Sequence, residues 1–200
     1  MDRRVDRGRA TRQRLITVAT ELFAERGYEA TSMDAILERA GGSRGSLYHH
    51  FTGKDRLFEA VVEAVHDQVG QATVAAVTAS GETEAHGLLK SAELAWIRLA
   101  GEPVVRRILL IDAPTVLGWR RWREIEERAG LGMLKEVLRR ASDDGRVPAH
   151  LVDSFAHILL AAGNEMALVI APADDVAAAQ ATAEAAVDEF LSRLLQPLGS

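Results

Sequence analysis

Apolar and polar positions repeat along this chain with the period of an α-helix. In residues 11–26, apolar side chains recur at intervals of one, three and four, and Gly27 follows as a helix-ending residue. The same kind of stripe continues towards the C-terminus, so the sequence predicts an all-α fold of about nine helices. The later predicted helices cover about 54–79, 83–100, 103–117, 119–142, 150–170 and 174–195.

Residues 32–51 depart from this pattern of long helices and predict two short helices separated by a glycine turn. Thr31 and Asp34 have the spacing of a capping box at the start of the first short helix. Gly41 and Gly42 supply positive-φ positions that end it. The arrangement is typical of a helix-turn-helix, but an ordinary helical hairpin in a bundle gives the same local pattern.

The second short helix, at about 44–51, favours the helix-turn-helix. Ser43 is its candidate N-cap, and Leu47 and Phe51, four residues apart, are expected to be buried. The helix is too short to be a good member of a bundle. Its outward residues are hydrogen-bond donors of the kind that hold DNA phosphates. These donors are Arg44, Ser46, Tyr48 and His49, followed by Lys54 at the next helix.

Residues 9–68 carry an ordered series of motifs. An amphipathic helix ends in Leu-Phe-x-x-x-Gly-Tyr, and Ala-Thr, an Ile-containing helix, Ala-Gly and Leu-Tyr-x-His-Phe-x-x-Lys follow. This series resembles the TetR/AcrR family of transcriptional regulators, with a departure at Gly42, where the family usually has an apolar residue. The motif residues are Leu22, Phe23, Gly27, Tyr28, Ala30, Thr31, Ile36, Ala40, Gly41, Leu47, Tyr48, His50, Phe51 and Lys54.

The resemblance implies a helix-turn-helix DNA-binding domain at 9–69 and a helical ligand-binding and dimerisation domain at 70–200. It implies a repressor that binds a palindromic operator in double-stranded DNA as a homodimer, under the control of a small-molecule effector. Helix 44–51 is then expected in the major groove. Base-edge contacts are expected from Arg44, Gly45 and Ser46, and backbone contacts from Tyr48, His49 and Lys54, assisted by Thr31, Ser32 and Ser43.

The charge distribution agrees with a DNA-binding N-terminal part. The net charge of the chain is −5, but residues 1–56 hold 11 Lys and Arg against 8 Asp and Glu. A basic end on an acidic body steers the protein towards DNA by that end. The arginines of 1–9 fit a solvated, disordered tail better than an arm lying along DNA, and we expect the tail.

Candidate effector contacts cluster around 103–117, where Pro114 is expected to end or kink a helix. Asp112 fits two interpretations, a structural partner near the proline or a polar group facing a cavity, and the first is favoured. Core packing is the simpler explanation for any single tryptophan. The candidate pocket residues are Trp96, Leu109, Asp112, Trp119 and Trp122.

The helices predicted at 150–170 and 174–195 have apolar stripes that the rest of the chain does not obviously cover. Ala161, Gly163 and Ala167 are small and permit close helix approach. Pairing both helices with those of a second copy gives a four-helix interface. Two buried helices in a monomer fit the periodicity almost as well, and the resemblance favours the dimer.

The sequence contains no group of residues that indicates an enzyme, a metal site or a cofactor. It has no cysteine, and its six histidines have no metal-ligand spacing. No apolar run has the length of a membrane span, so we expect a soluble cytoplasmic protein without a membrane partner. Two alternatives to a regulator are a helical small-molecule-binding module without sequence-specific DNA activity and a small helical enzyme.

Overall fold

The computed structural model describes residues 3–170 and 172–196, and this part of the chain contains helices and no strand, as the sequence predicts. Counting 103–117 as one helix, it forms nine. Helix α6 consists of Pro103–Val105, a π-helical turn at Arg106–Asp112, and Ala113–Leu117. The other helices are α1 (Arg3–Ala30), α2 (Met33–Ala40), α3 (Arg44–His50), α4 (Lys54–Ser80), α5 (Ala85–Gly101), α7 (Trp119–Asp143), α8 (Val152–Ile170) and α9 (Val176–Leu194).

Helix α1 is longer than its apolar stripe. It begins at Arg3, so the expectation of a disordered tail over 1–9 is wrong for the residues that the structure describes. The predicted stop at Gly27 is a kink, with φ 80° and ψ 169°, after which the helical pattern continues to Ala30. The positive φ favours glycine here, and the absence of a β-carbon lets the guanidinium of Arg107 lie against this backbone.

Packing divides the chain into two compact units. The first contains the described residues up to His66 together with Pro103–Arg123, and the second contains Asp67–Glu102 and the residues from Glu124 onward. Helix α4 runs from one unit into the other. The first unit therefore includes α6, whereas the domains predicted from the sequence, 9–69 and 70–200, place it in the C-terminal domain.

The first unit is built around an aromatic cluster. The ring of Phe23 stacks on Tyr28 at 5.8 Å between centroids and meets Phe58 edge-on at 5.0 Å. The Lys54 ammonium donates to the Tyr28 carbonyl at 2.9 Å and lies 4.0 Å from the centre of the Tyr28 ring. These contacts fasten the start of α4 to the end of α1.

Pro114 changes α6 in a more specific way than a simple stop. A proline in a helix clashes with the carbonyl four residues earlier, here that of Leu110. The π-helical turn at Arg106–Asp112 comes directly before it, and the Ala113 N–H donates to the Ile108 carbonyl five residues back. The wider turn keeps the chain helical through the proline.

The second unit is a helical bundle with an aliphatic core. Leu138 of α7, Leu159 of α8 and Leu191 of α9 are buried against Leu89 of α5. A smaller cluster joins the far end of α5 to α8 and α9 around Ile97. Helix α5 therefore lies at the centre of this unit.

Helix α8 presents apolar side chains that this chain does not cover. Ile158 and Val169 are about half exposed. Contrary to the sequence expectation, Ala149–Ile170 is long and apolar enough to cross a membrane, with a mean hydropathy of 1.2, and 33% of the apolar window is buried. Length and composition alone support this, and helices of soluble proteins meet the same test.

Candidate nucleic-acid interface

Helices α2 and α3 form the expected helix-turn-helix, but α2 begins one residue later than the capping box predicts. Its N-cap is Ser32, whose hydroxyl oxygen accepts a hydrogen bond from the Ala35 N–H at 3.1 Å. Thr31 is buried, and its hydroxyl donates to the Gly27 carbonyl at 2.8 Å. Because that hydroxyl is inside the protein, Thr31 is not available to the surface as the sequence analysis expected.

The turn between the two helices needs one left-handed residue. Gly41 has φ 66° and its N–H donates to the carbonyls of Leu37 and Glu38. Gly42 does not have positive φ, so the prediction of two such positions is wrong for it. A β-carbon at Gly42 would lie at an ordinary 3.6 Å from Leu37 Cδ1. An apolar residue would therefore fit there.

Helix α3 is held from below by buried apolar residues. Leu47 and Phe51 are buried as predicted, together with Ile36 of α2. The Ser43 hydroxyl oxygen accepts from the Ser46 N–H at 3.2 Å and caps the helix. The core contacts fix the orientation of α3, so that its N-terminus and its outer face point to solvent.

The outer face of this motif carries most of the predicted DNA-binding residues. The side chain of Tyr48 is 46% exposed. Ser46 and Lys54 are partly buried, and the histidine rings of 49 and 50 meet edge-on. The exposed members of the predicted set are Ser32, Ser43, Arg44, Gly45, Tyr48 and His49.

Arg44, the first residue of α3, is paired within the motif. Its guanidinium donates to the carboxylate of Asp34 on α2, and both side chains are mostly exposed. This hydrogen bond raises the pKa of Arg44 above its already high ordinary value. Sequence reasoning had assigned Asp34 to the capping box, so it missed that the two short helices share this ion pair.

Gly45 has no structural reason to be glycine. Its φ is not positive, and a β-carbon there would have no atom within 4 Å apart from its own helix backbone. Glycine within a helix costs about 0.5–1 kcal/mol relative to alanine. An exposed glycine on the first turn of α3 leaves room for another molecule to approach the backbone closely.

The structure does not bring the predicted effector contacts together in one unit. Asp112 accepts the Tyr28 N–H at 2.9 Å and the Arg107 Nε at 3.2 Å, which agrees with its favoured structural interpretation. The Trp122 indole donates to the Leu109 carbonyl at 2.9 Å. Trp119 is 66% exposed. These four predicted residues belong to the first unit, and Trp96 belongs to the second.

A polar cluster inside the second unit was not predicted from the sequence. Glu93 of α5 is buried, as are Glu126 of α7 and Asn164 of α8. The signal was present, because Glu93 falls four residues after Leu89 and four before Ile97 on the buried face of α5. The apolar pattern of the sequence instead predicts a buried stripe of Leu88, Ala92, Ala95, Trp96 and Leu99, beside Glu93. Among the described residues no group of three His, Cys, Asp or Glu forms a metal site.

Two family models match the chain. "Bacterial regulatory proteins, tetR family" matches residues 15–61, which contain the helix-turn-helix, and "Tetracyclin repressor-like, C-terminal domain" matches residues 86–194. The second match alone covers more than half of the chain. The two matched regions follow one another along the chain in the order that the sequence resemblance implies.

Curated relatives agree with these matches. The HTH-type transcriptional regulator UidR of Escherichia coli is 39% identical over 62 residues, which is 31% of this chain and 32% of UidR. This alignment therefore spans about a third of that regulator. The HTH-type transcriptional repressor AcnR of Corynebacterium efficiens is 28% identical over 152 residues, 75% of this chain and 76% of AcnR.

Solved structures extend the likeness to the whole fold. A TetR-family transcriptional regulator from Pectobacterium atrosepticum has a TM-score of 0.78 and 29% identity, covering 98% of this chain and 100% of that one. RolR in complex with resorcinol has a TM-score of 0.69 over the same shares, and at 21% identity it supports the fold alone. With its exposed helix-turn-helix and both family matches, the chain belongs to the TetR family of DNA-binding transcriptional regulators, which are not enzymes.

Proposed function

We propose that this protein is a cytoplasmic repressor that binds a palindromic operator as a homodimer and is controlled by a small-molecule effector. The observation that carries the DNA contact is the N-terminal turn of α3. There Arg44 is exposed and Gly45 leaves its backbone open. An arginine at the start of a helix in the major groove can donate two hydrogen bonds to a guanine edge.

The backbone contacts are proposed for the hydroxyl and ring donors around this turn. The Ser32 and Ser43 oxygens accept from their own helices, so each hydroxyl proton stays free to donate to a phosphate oxygen. Tyr48 and His49 are exposed beside them. Lys54 belongs to this set only if its ammonium, which already donates to the Tyr28 carbonyl, also reaches a phosphate.

Uncovered apolar surface on α8 and α9 supports the homodimer. Ile158 and Val169 lie eleven residues apart, three helical turns, and so share one face of α8. On α9, Val176 and Phe190 are also about half exposed. A second copy that pairs these helices would cover the patch, and a symmetric dimer places two α3 helices on a palindrome.

The direction of regulation and the effector rest on the relatives. AcnR is named a repressor, and RolR was solved with resorcinol. Both resemble this chain over most of its length, which supports a repressor with a ligand site in its helical C-terminal unit. The alternative, a ligand-binding module without DNA activity, predicts no operator.

The test is selection of bound sequences from random DNA duplexes, followed by titration of the enriched duplex with Gly45→Ala. We expect inverted repeats to be enriched. Gly45→Ala should leave folding intact or raise the free energy of unfolding by up to about 1 kcal/mol, as a helix residue. It should still weaken binding to the selected operator at least tenfold, because its methyl group occupies the space of the approaching DNA.

The matched control is Gly132→Ala on α7. Gly132 is also exposed and helical, with no atom near the added carbon. Gly132→Ala should bind the operator like the wild type. Failure of any duplex to be enriched would refute the regulator and favour the ligand-binding alternative. Equal operator binding by Gly45→Ala and the wild type would remove α3 from the base-reading surface.

A further inference from the structure

The buried polar cluster of the second unit contains groups that its fold leaves without partners. Among the described residues, the Trp96 indole N–H and the Asn164 side-chain oxygen are buried and make no hydrogen bond. The Glu93 carboxyl is 6% exposed and has no ion-pair or hydrogen-bond partner there. Such groups are usually satisfied in native proteins, so three together in one helical unit require an explanation.

Glu93, Trp96 and Asn164 come together around Gly163 of α8. A β-carbon there would lie 2.5 Å from Glu93 Oε2 and 2.9 Å from Trp96 Cδ1. The side chains of Glu93 and Trp96, both on α5, therefore contact the backbone of α8 at the same residue, Gly163. Asn164 is the next residue, and its amide nitrogen donates to Glu126 Oε1 of α7 at 2.6 Å. Three helices thus meet around Gly163 and Asn164.

The unused hydrogen-bonding capacity describes the missing partner. The Asn164 oxygen is an acceptor and the Trp96 indole supplies one donor. Glu93 becomes an acceptor with both oxygens once its carboxyl is ionised. Burial in the core raises the pKa of Glu93 to about 8. A ligand ammonium would donate to the acceptors and favour the ionised carboxylate. One ligand oxygen would accept the indole N–H.

The surroundings of Trp96 fit an apolar body on such a ligand. Its ring packs with Ile97, Ile170 and Ala183, the small apolar cluster where α5, α8 and α9 meet. The face of an indole also attracts a cation. An anionic ligand would gain no such attraction, because its charge opposes ionisation of the buried Glu93 carboxyl.

We propose that Glu93, Trp96 and Asn164 form the effector subsite and bind a small organic ammonium compound that carries an ether or hydroxyl oxygen next to an apolar group. The inference rests on the proposed function, since it names the ligand class of the effector. Glu93 is the specificity-determining residue, because its carboxylate selects the cation. Gly163 is glycine so that Glu93 and Trp96 can reach this position.

Three probes with one skeleton test the ligand class. These are 2-phenoxyethylamine, 2-phenoxyethanol and phenoxyacetate, which end in a cation, a neutral hydroxyl and an anion. Isothermal titration of the full chain should show the amine binding at least tenfold more tightly than the alcohol, with no binding of phenoxyacetate. Failure of the amine to bind, or equal binding of the alcohol or the acid, would overturn the proposal.

Variants assign the binding to this site. Glu93→Gln should remove the tenfold preference for the amine over the alcohol. Gly163→Ala should weaken binding of the amine, because the added methyl group displaces Glu93 and Trp96. The control is Glu102→Gln, an exposed carboxyl directly after α5, which should titrate like the wild type. An amine preference that survives in Glu93→Gln would refute the assignment even if Gly163→Ala did not fold.

Operator binding, measured in parallel with the selected duplex, separates this inference from the proposed function. If the amine binds and depends on Glu93 but the chain selects no operator, the ligand site stands and the regulator fails. If the chain binds its operator and the amine does not bind, the regulator stands and the ligand class fails. A fivefold or greater change of operator affinity with saturating amine supports both.

Discussion

Burial of Glu93 predicts how the stability of the protein depends on pH. Its pKa is raised from 4.5 to about 8 by desolvation in the core. Below pH 4.5 both the folded and the unfolded chain hold this proton. Between the two values only the folded chain holds it, so the unfolded state gains and the free energy of unfolding falls as pH rises. Above about pH 8 the two states again bind the same number of protons.

The magnitude follows from the width of this window. One pKa unit corresponds to about 1.4 kcal/mol, so the wild type loses about 1.4 kcal/mol of stability per pH unit from this group. From pH 5 to pH 8 that amounts to about 4 kcal/mol. Glu93→Gln keeps the shape and burial of the side chain but has no proton to lose. Its advantage over the wild type should therefore grow steadily across this range.

The assay is urea unfolding of the wild type, Glu93→Gln and the control Glu102→Gln, at fixed protein concentration because a dimer makes apparent stability concentration-dependent. We expect the difference between Glu93→Gln and the wild type to widen with pH, and the difference for exposed Glu102→Gln to stay constant. Parallel curves for Glu93→Gln and the wild type from pH 5 to pH 8 would refute the reasoning, because they would mean that Glu93 titrates normally.

Three further substitutions test other contacts. Thr31→Val removes a buried hydroxyl that donates to the Gly27 carbonyl, and should cost about 1 kcal/mol in urea unfolding without changing operator affinity. Asp112→Ala leaves the Tyr28 N–H without its acceptor and should cost about 1–3 kcal/mol by the same measurement. An unchanged midpoint in either would contradict the assigned contact. Lys54→Ala should lower the salt slope of operator binding by about 1 if its ammonium also reaches a phosphate, and an unchanged slope would limit Lys54 to its contact with Tyr28.

The sequence predicts well those features that depend on neighbours along the chain. The helix-turn-helix followed from spacing, because Leu47 and Phe51 bury one face of a short helix whatever surrounds it. Helix existence was predictable for the same reason. Capping was predictable only to within one residue, since Thr31 and Ser32 are both good caps and tertiary burial of Thr31 decided between them.

Contacts between distant segments were not available from periodicity. Asp112 lies 84 residues from its partner Tyr28, and nothing local to either residue indicates the pair. The stripe of α5 was assigned to residues beside Glu93, because an acid is not expected on a buried face. That rule fails at Glu93, which is 6% exposed, so the residue that breaks the apolar pattern was the informative one.

The π-helical turn in α6 explains which of its side chains can meet. In an α-helix, residues five apart point about 140° away from each other, so Arg107 and Asp112 would diverge. In a π-helical turn the fifth residue comes back nearly above the first, and here the two form an ion pair at 3.2 Å. The wider turn thus sets the direction in which the side chains after it point. If this turn were rewound as an ordinary α-helix with the same residues, the Asp112 carboxylate would turn away from the Arg107 guanidinium, so their ion pair requires the wider turn.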